Sequence, residues 1–131
     1  MDVRFLSSAD CEASYRAIDD ALGLNETEGV SAAHTPDFHV CAAVPDGGCG
    51  SCQGDSGGPI YQRLSFSASD TDGPLTTVPV VVGVSSWGIG CAIRGVPSVF
   101  TRVSAYAGWI DDIVGTYSGP PVNTGGADEH L

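Results

Sequence analysis

The sequence predicts an all-β fold, an antiparallel β-barrel with a C-terminal α-helix, and three observations carry that prediction. Eighteen glycines among 131 residues favour turns and strands over long helices. Thr77 to Trp87 contains Val78, Val80, Val81, Val82 and Val84, and β-branched side chains fit a pleated strand. Ile60 to Phe66 alternates apolar with polar residues, the signature of a half-buried strand. A chain of this length fits one domain and can bury a core of its own.

In chain order, Val3-Arg4-Phe5-Leu6 reads as a short strand. Ser7 or Ser8 can cap a helix running to about Leu22, with Asp10 and Glu12 in its first turn favoured by the helix dipole. Gly23 stops that helix. Asn25 to Thr35 reads as a loop, within which Asn25-Glu26-Thr27 forms an N-glycosylation sequon. Phe38 to Ala43 returns as a strand, and Pro45-Asp46-Gly47-Gly48 turns the chain. Asp70-Thr71-Asp72-Gly73-Pro74 is a predicted hairpin tip. Ser98 to Val103 is the last strand, and Tyr106 to Val114 is a short amphipathic helix with Trp109, Ile110 and Ile113 on its apolar side. Residues 1–115 are thus the expected folded domain, and the Gly/Pro-rich tail 116–131 is expected to be disordered.

The charge balance excludes some partners. Five arginines and no lysine face sixteen acidic residues, for a net charge of −11. That sign argues against nucleic acid or an anionic membrane surface. No apolar run approaches a membrane-spanning length. Five cysteines suggest an oxidising compartment and leave one over. Met1-Asp2-Val3-Arg4 begins no signal peptide, so the expectation of a secreted protein carries with it a segment upstream.

The most specific stretch is Cys52-Gln53-Gly54-Asp55-Ser56-Gly57-Gly58-Pro59. Its glycines let backbone N–H groups approach a reacting atom, and Ser56 supplies a hydroxyl. The octet resembles the nucleophile loop of the trypsin/chymotrypsin family of serine endopeptidases. Val84-Ser85-Ser86-Trp87-Gly88-Ile89-Gly90-Cys91 resembles the family's substrate-binding strand. Pro97-Ser98-Val99-Phe100-Thr101-Arg102-Val103, followed by Trp109-Ile110, resembles its last strand and closing helix. The resemblance covers roughly residues 3 to 114.

Family members have two six-stranded Greek-key barrels with the active site between them, and this sequence resembles the second barrel only. The resemblance implies that Ser56 is the nucleophile and that the N–H groups of Gly54 and Ser56 form an oxyanion hole. Asp55 would pair with the amino terminus created by zymogen cleavage. Gly50 would floor the specificity pocket where trypsin-like members carry Asp, beside Ser51, and Ser98 would narrow it. Small or medium uncharged side chains are therefore expected at the cleavage site. Ser86, Trp87 and Gly88 would pair with the substrate backbone as an added strand. The family pattern also implies disulfides Cys11–Cys41 and Cys52–Cys91, leaving Cys49 free or paired with another segment. No cofactor and no metal is expected: Cys49 and Cys52 form a Cys-x-x-Cys, but no second ligand pair has zinc spacing.

The general base and its orienting carboxylate belong to the family's first barrel, and their motifs are not found here. Val30-Ser31-Ala32-Ala33-His34 looks like the base motif but lies between Cys11 and Cys41, and the default reading of His34 is an exposed loop residue. His39 reads as structural, and His130 falls in the tail. The favoured function is a serine endopeptidase acting on proteins or peptides, here without the half that carries the base and nearly inactive alone. The competing readings are a non-catalytic peptide-binding module and a self-contained hydrolase using His34.

Overall fold

The structure, a computed structural model, describes residues 3–25, 27–67 and 75–118. The expected hairpin tip at 70–74 and the tail from 119 onwards, His130 included, lie outside the described residues.

Strand β1 (Arg4–Leu6) leads into helix α1 (Ser8–Leu22), whose ends follow from its sequence. Ser7 caps the start: its Oγ accepts the Asp10 N–H at 3.1 Å and donates to the Asp10 carboxylate at 2.7 Å. Gly23 closes it in the left-handed region at φ +68°, while the Leu24 N–H returns to the Asp19 carbonyl at 2.9 Å. The stretch expected as plain loop contains a 3₁₀ turn at Val30–Ala33. Asp19 builds that turn: its two carboxylate oxygens accept the Val30 N–H at 2.6 Å and the Ser31 N–H at 2.9 Å. The Ser31 side-chain and backbone hydrogen bonds hold the Asp19 carboxyl below its ordinary range, against the opposing effect of burial. Asn25, exposed at the sequon, accepts the Thr27 and Glu28 N–H groups through Oδ1, both at 3.0 Å.

Strands β2 (His39–Ala43), β3 (Pro59–Ser67), β4 (Leu75–Trp87) and β5 (Ser98–Arg102) complete one antiparallel sheet in the order β1-β2-β5-β4-β3. Successive side chains on a strand point to opposite faces, so register sorts the core into two layers. Cys41 pairs with Val99 and faces α1, where Cys11, Tyr15 and Val99 are all inaccessible to solvent. Val40 and Phe100, also paired, join Ala42 and Ile60 on the other face. Full burial of Val99 alone contributes about 1.5–3 kcal/mol. Gly83 is required at the centre of the second layer: a Cβ there would lie 2.8 Å from Ile60 Cγ2 and 2.9 Å from Phe100 Cβ.

The sheet is open. β1 and β3 are its edges, and among the described residues no ladder joins them. After a 3₁₀ turn at Val103–Tyr106, helix α2 runs Ala107–Ser118, past Gly115 and four residues beyond the expected end at Val114. Gly115 does not stop it because a glycine ends a helix only where the chain then turns left-handed. No helix is long and apolar enough to cross a membrane among the described residues.

Candidate active site

The connection from β2 to β3 carries the octet, and three ties fix its shape. A disulfide joins Cys52 to Cys91, binding this loop to the one between β4 and β5. The Gly48 N–H donates to the Ala92 carbonyl at 2.9 Å. At Gly47, φ +71°, a Cβ would meet the Arg94 nitrogen at 2.9 Å, so the loops pass too closely for a side chain. A second disulfide, Cys11–Cys41, lies under α1, and Cys49 is a free, exposed thiol.

Within the octet the backbone is folded tightly. The Asp55 N–H donates to the Cys52 carbonyl at 3.1 Å, and the Gly58 N–H to the Asp55 carbonyl at 2.9 Å. The Gly57 N–H reaches the Ser85 carbonyl at 3.0 Å while the Ser85 N–H returns to Gly58 at 2.8 Å, which registers the loop on β4. Gly54 at φ +98° and Gly57 at φ +82° adopt conformations that a side chain disfavours. Ser56 stands between them, exposed. Its neighbours' N–H groups are engaged, whereas among the described residues those of Gly54 and Ser56 make no hydrogen bond. Asp55 is also exposed, and its Oδ2 accepts the Cys52 N–H at 2.8 Å.

Ser56 opens onto a cleft of about 1140 Å³. Gly54, Asp55 and Ser56 form one wall; Gly50, Ser51 and Ser98 line it too, with Ala92, Ile93 and Val96 from the β4–β5 loop. Ala42, Ile60 and Phe100, the second core layer, supply the apolar base. Ala92 takes a left-handed φ of +55°, and its Cα would lie 3.3 Å from a Cβ at Gly50. The sequence reading missed Ala92, Ile93 and Val96 because nothing local marks them. The Cys52–Cys91 pairing was the available signal, since it brings residues after 91 next to Gly50.

The other expected substrate contacts lie elsewhere. Ser86, Trp87 and Gly88 are not among the residues lining the cleft. A register shift between Ser85 and Trp87 turns the Trp87 ring toward α1, 5.1 Å from the Tyr15 ring and 6.2 Å, edge-on, from His39. Gly88 stays near the pocket, its missing Cβ 3.6 Å from Ser98 Cα.

His34 is not the exposed loop residue expected. It is 9% exposed and packed beside the Cys11–Cys41 disulfide, on the α1 face of the sheet and not among the cleft residues. The Asp19-capped turn folds the chain inward just ahead of it. Burial pushes the His34 imidazole below its ordinary pKa of 6.5, so it is neutral at pH 7. His39, shifted downward by burial and by His34, accepts the Thr35 N–H at 3.0 Å through Nδ1. Among the described residues no histidine lines the cleft.

A family model described as Trypsin matches residues 1–110. The chain belongs to the trypsin family. That family is one of trypsin-like serine endopeptidases. Among similar proteins is the anionic trypsin of Bos taurus, 35% identical over 113 residues that cover 86% of this chain and 33% of the bovine protein. Trypsin-1 of Astacus astacus is 47% identical over 74 residues, 56% of this chain and 27% of its own length. The fibrinolytic enzyme isozyme C of Lumbricus rubellus is 44% identical over 84 residues, 64% of this chain and 31% of its own. The trypsin-family chain therefore spans about a third or less of the curated relatives it matches.

Proposed function

We propose that this chain is the nucleophile-bearing half of a secreted serine endopeptidase, the second of two barrels, with Ser56 as the attacking residue. The observation that carries the reading is the exposed Ser56 hydroxyl at the mouth of the cleft, beside two unengaged N–H groups. The Ser56 Oγ forms a bond to the scissile carbonyl carbon while a base takes its proton. The carbonyl oxygen, now negative, is received by the Gly54 and Ser56 N–H groups, each worth about 3–4 kcal/mol to the transition state. The amine leaves with the proton held by the base, and water then cleaves the acyl-enzyme by the same route in reverse.

The general base and its orienting carboxylate come, in this proposal, from a first barrel outside these 131 residues. Two observations support that division. The two described histidines sit away from the cleft, and the relatives are about three to four times as long as the stretch they share with this chain. Further strands from outside these 131 residues would pair with the open edges β1 and β3 and complete this Greek-key barrel. Asp55, now holding the Cys52 N–H, would exchange that bond for an ion pair with a newly cleaved amino terminus.

Gly50, Ser51 and Ser98 are assigned to the specificity pocket, which holds no charge there and suits small or medium uncharged side chains. The backbone of Ser86 to Gly88 is assigned to substrate pairing, a role the inward-turned Trp87 ring leaves open. The test is peptide hydrolysis by the protein isolated from its source. Wild type should cleave after uncharged residues, and Ser56→Ala should lose activity on the order of 10⁴–10⁶-fold. Undiminished hydrolysis by Ser56→Ala would reject the assignment.

A further inference from the structure

The sequon Asn25-Glu26-Thr27 takes no part in the cleft, yet its asparagine and threonine are held together in one turn. The Asn25 Oδ1 accepts the Thr27 N–H and the Glu28 N–H, both at 3.0 Å, and the Thr27 hydroxyl at 2.7 Å. The Asn25 Nδ2 donates to the Glu28 carboxylate. The main chain closes the same turn, with the Glu28 and Gly29 N–H groups returning to the Asn25 carbonyl at 3.2 and 2.8 Å. A side-chain amide has two N–H donors. One is held by Glu28, and among the described residues the other has no protein partner. Asn25, Thr27 and Glu28 are all exposed.

We infer that Asn25 is a site of N-linked glycosylation, carrying an oligosaccharide on Nδ2. The inference rests on the secreted reading above, since such transfer belongs to the same lumenal route on which disulfides form. The donor is a lipid-linked oligosaccharyl diphosphate. The Nδ2–H bond breaks and an Nδ2–C1 bond forms. The C1–oxygen bond to the diphosphate breaks, and its electron pair leaves with the lipid diphosphate. The amide proton passes to a base on the transferase. The Thr27 hydroxyl on Oδ1 and the Glu28 carboxylate on Nδ2 both favour loss of a proton from that nitrogen, the change that makes an amide nucleophilic.

The turn suits the reaction before folding and the product after it. Its side-chain bonds span three residues or fewer, so it needs only local sequence and does not wait for α1 to pack. A glycosylated amide keeps one N–H, which Glu28 holds, and gives up the other. No buried group is displaced. The sugar would stand beside Leu22 and Leu24, exposed apolar side chains at the end of α1. Helix α1 packs on the sheet face opposite the apolar base of the cleft, so the approach to Ser56 stays open. The other asparagine, Asn123, is followed by Thr124 and Gly125 and forms no sequon, which leaves one site to find.

The test is peptide mapping of the protein isolated from its source. Treatment with a peptide N-glycosidase in heavy-oxygen water converts a glycosylated asparagine into a labelled aspartate. The inference predicts the label at position 25 together with intact Cys11–Cys41 and Cys52–Cys91 disulfides. Variants of the same full-length protein, secreted from cultured eukaryotic cells, supply the control. Asn25→Gln and Thr27→Ala should lose the glycan, whereas Thr27→Ser, which keeps the hydroxyl, should retain it. Unmodified Asn25 in a protein with both disulfides formed would overturn the inference and leave the secreted reading standing. Unmodified Asn25 with those four cysteines reduced would overturn both. A glycan that persists in Asn25→Gln or Thr27→Ala would also overturn the assignment.

Discussion

Tyr15→Phe removes one oxygen atom and tests how α1 is held to the sheet. The Tyr15 hydroxyl donates to the Pro97 carbonyl at 2.5 Å across 82 residues of sequence, and both residues are fully buried. Phenylalanine keeps the ring and its 5.1 Å contact with Trp87, so the change isolates the hydrogen bond. The Pro97 carbonyl would be left buried and unsatisfied, a penalty of about 1–3 kcal/mol. For a domain of this size each kcal/mol lowers Tm by roughly 4 °C. The same hydroxyl predicts an alkaline limit. Burial pushes the Tyr15 phenol up to about 12 from its ordinary 10.0. A raised folded-state pKa means the folded chain keeps a proton that the unfolded chain releases. Its contribution is therefore complete below pH 10 and lost as pH rises toward about 12. Urea titrations of both proteins at pH 7 and across pH 9 to 12 measure both effects. Equal stability at pH 7, or the same alkaline loss in Tyr15→Phe, would refute the reasoning.

Other perturbations follow from the same packing. Gly83→Ala puts a methyl group 2.8 Å from Ile60 Cγ2 and 2.9 Å from Phe100 Cβ and should cost about 1–3 kcal/mol by urea titration. The depressed Asp19 carboxyl makes the folded chain bind fewer protons than the unfolded one below the ordinary value of 3.8. Stability should fall as pH drops through that range, and Asp19→Asn, already less stable at neutral pH, should show a shallower acid decline. Gly50→Asp places a carboxylate in the cleft beside Ala92. In the protein from its source it should shift cleavage toward Arg and Lys at least about tenfold in kcat/KM, or about 1.4 kcal/mol.

The parts of the fold legible in the sequence are those fixed by local chemistry. Ser7 and Gly23 mark the ends of α1 because a cap oxygen and a left-handed residue act within one turn. The valine run marks β4 because its side chains suit a strand whatever lies beside it. The 3₁₀ turn at Val30–Ala33 was not legible, since it depends on Asp19, eleven residues earlier, folding back on it. The burial of His34 follows from that same turn and was hidden for the same reason. Gly50, Ser51, Gly54, Ser56 and Ser98 were singled out from their motifs, and all five line the cleft. The inward Trp87 could not, because the register shift that aims it arises only when β4 pairs with β5.

The central claim is that Ser56 is the nucleophile and that its base lies outside these 131 residues. Labelling with a fluorophosphonate, which reacts with an activated serine, tests both halves at once. The protein from its source and the 131-residue chain are treated in parallel, and the adduct is located by peptide mass. The account predicts a single adduct on Ser56 in the former, and labelling on the order of 10⁴-fold slower in the chain alone. Equal labelling rates would place the base within this chain, and an adduct on any residue but Ser56 would contradict the account outright.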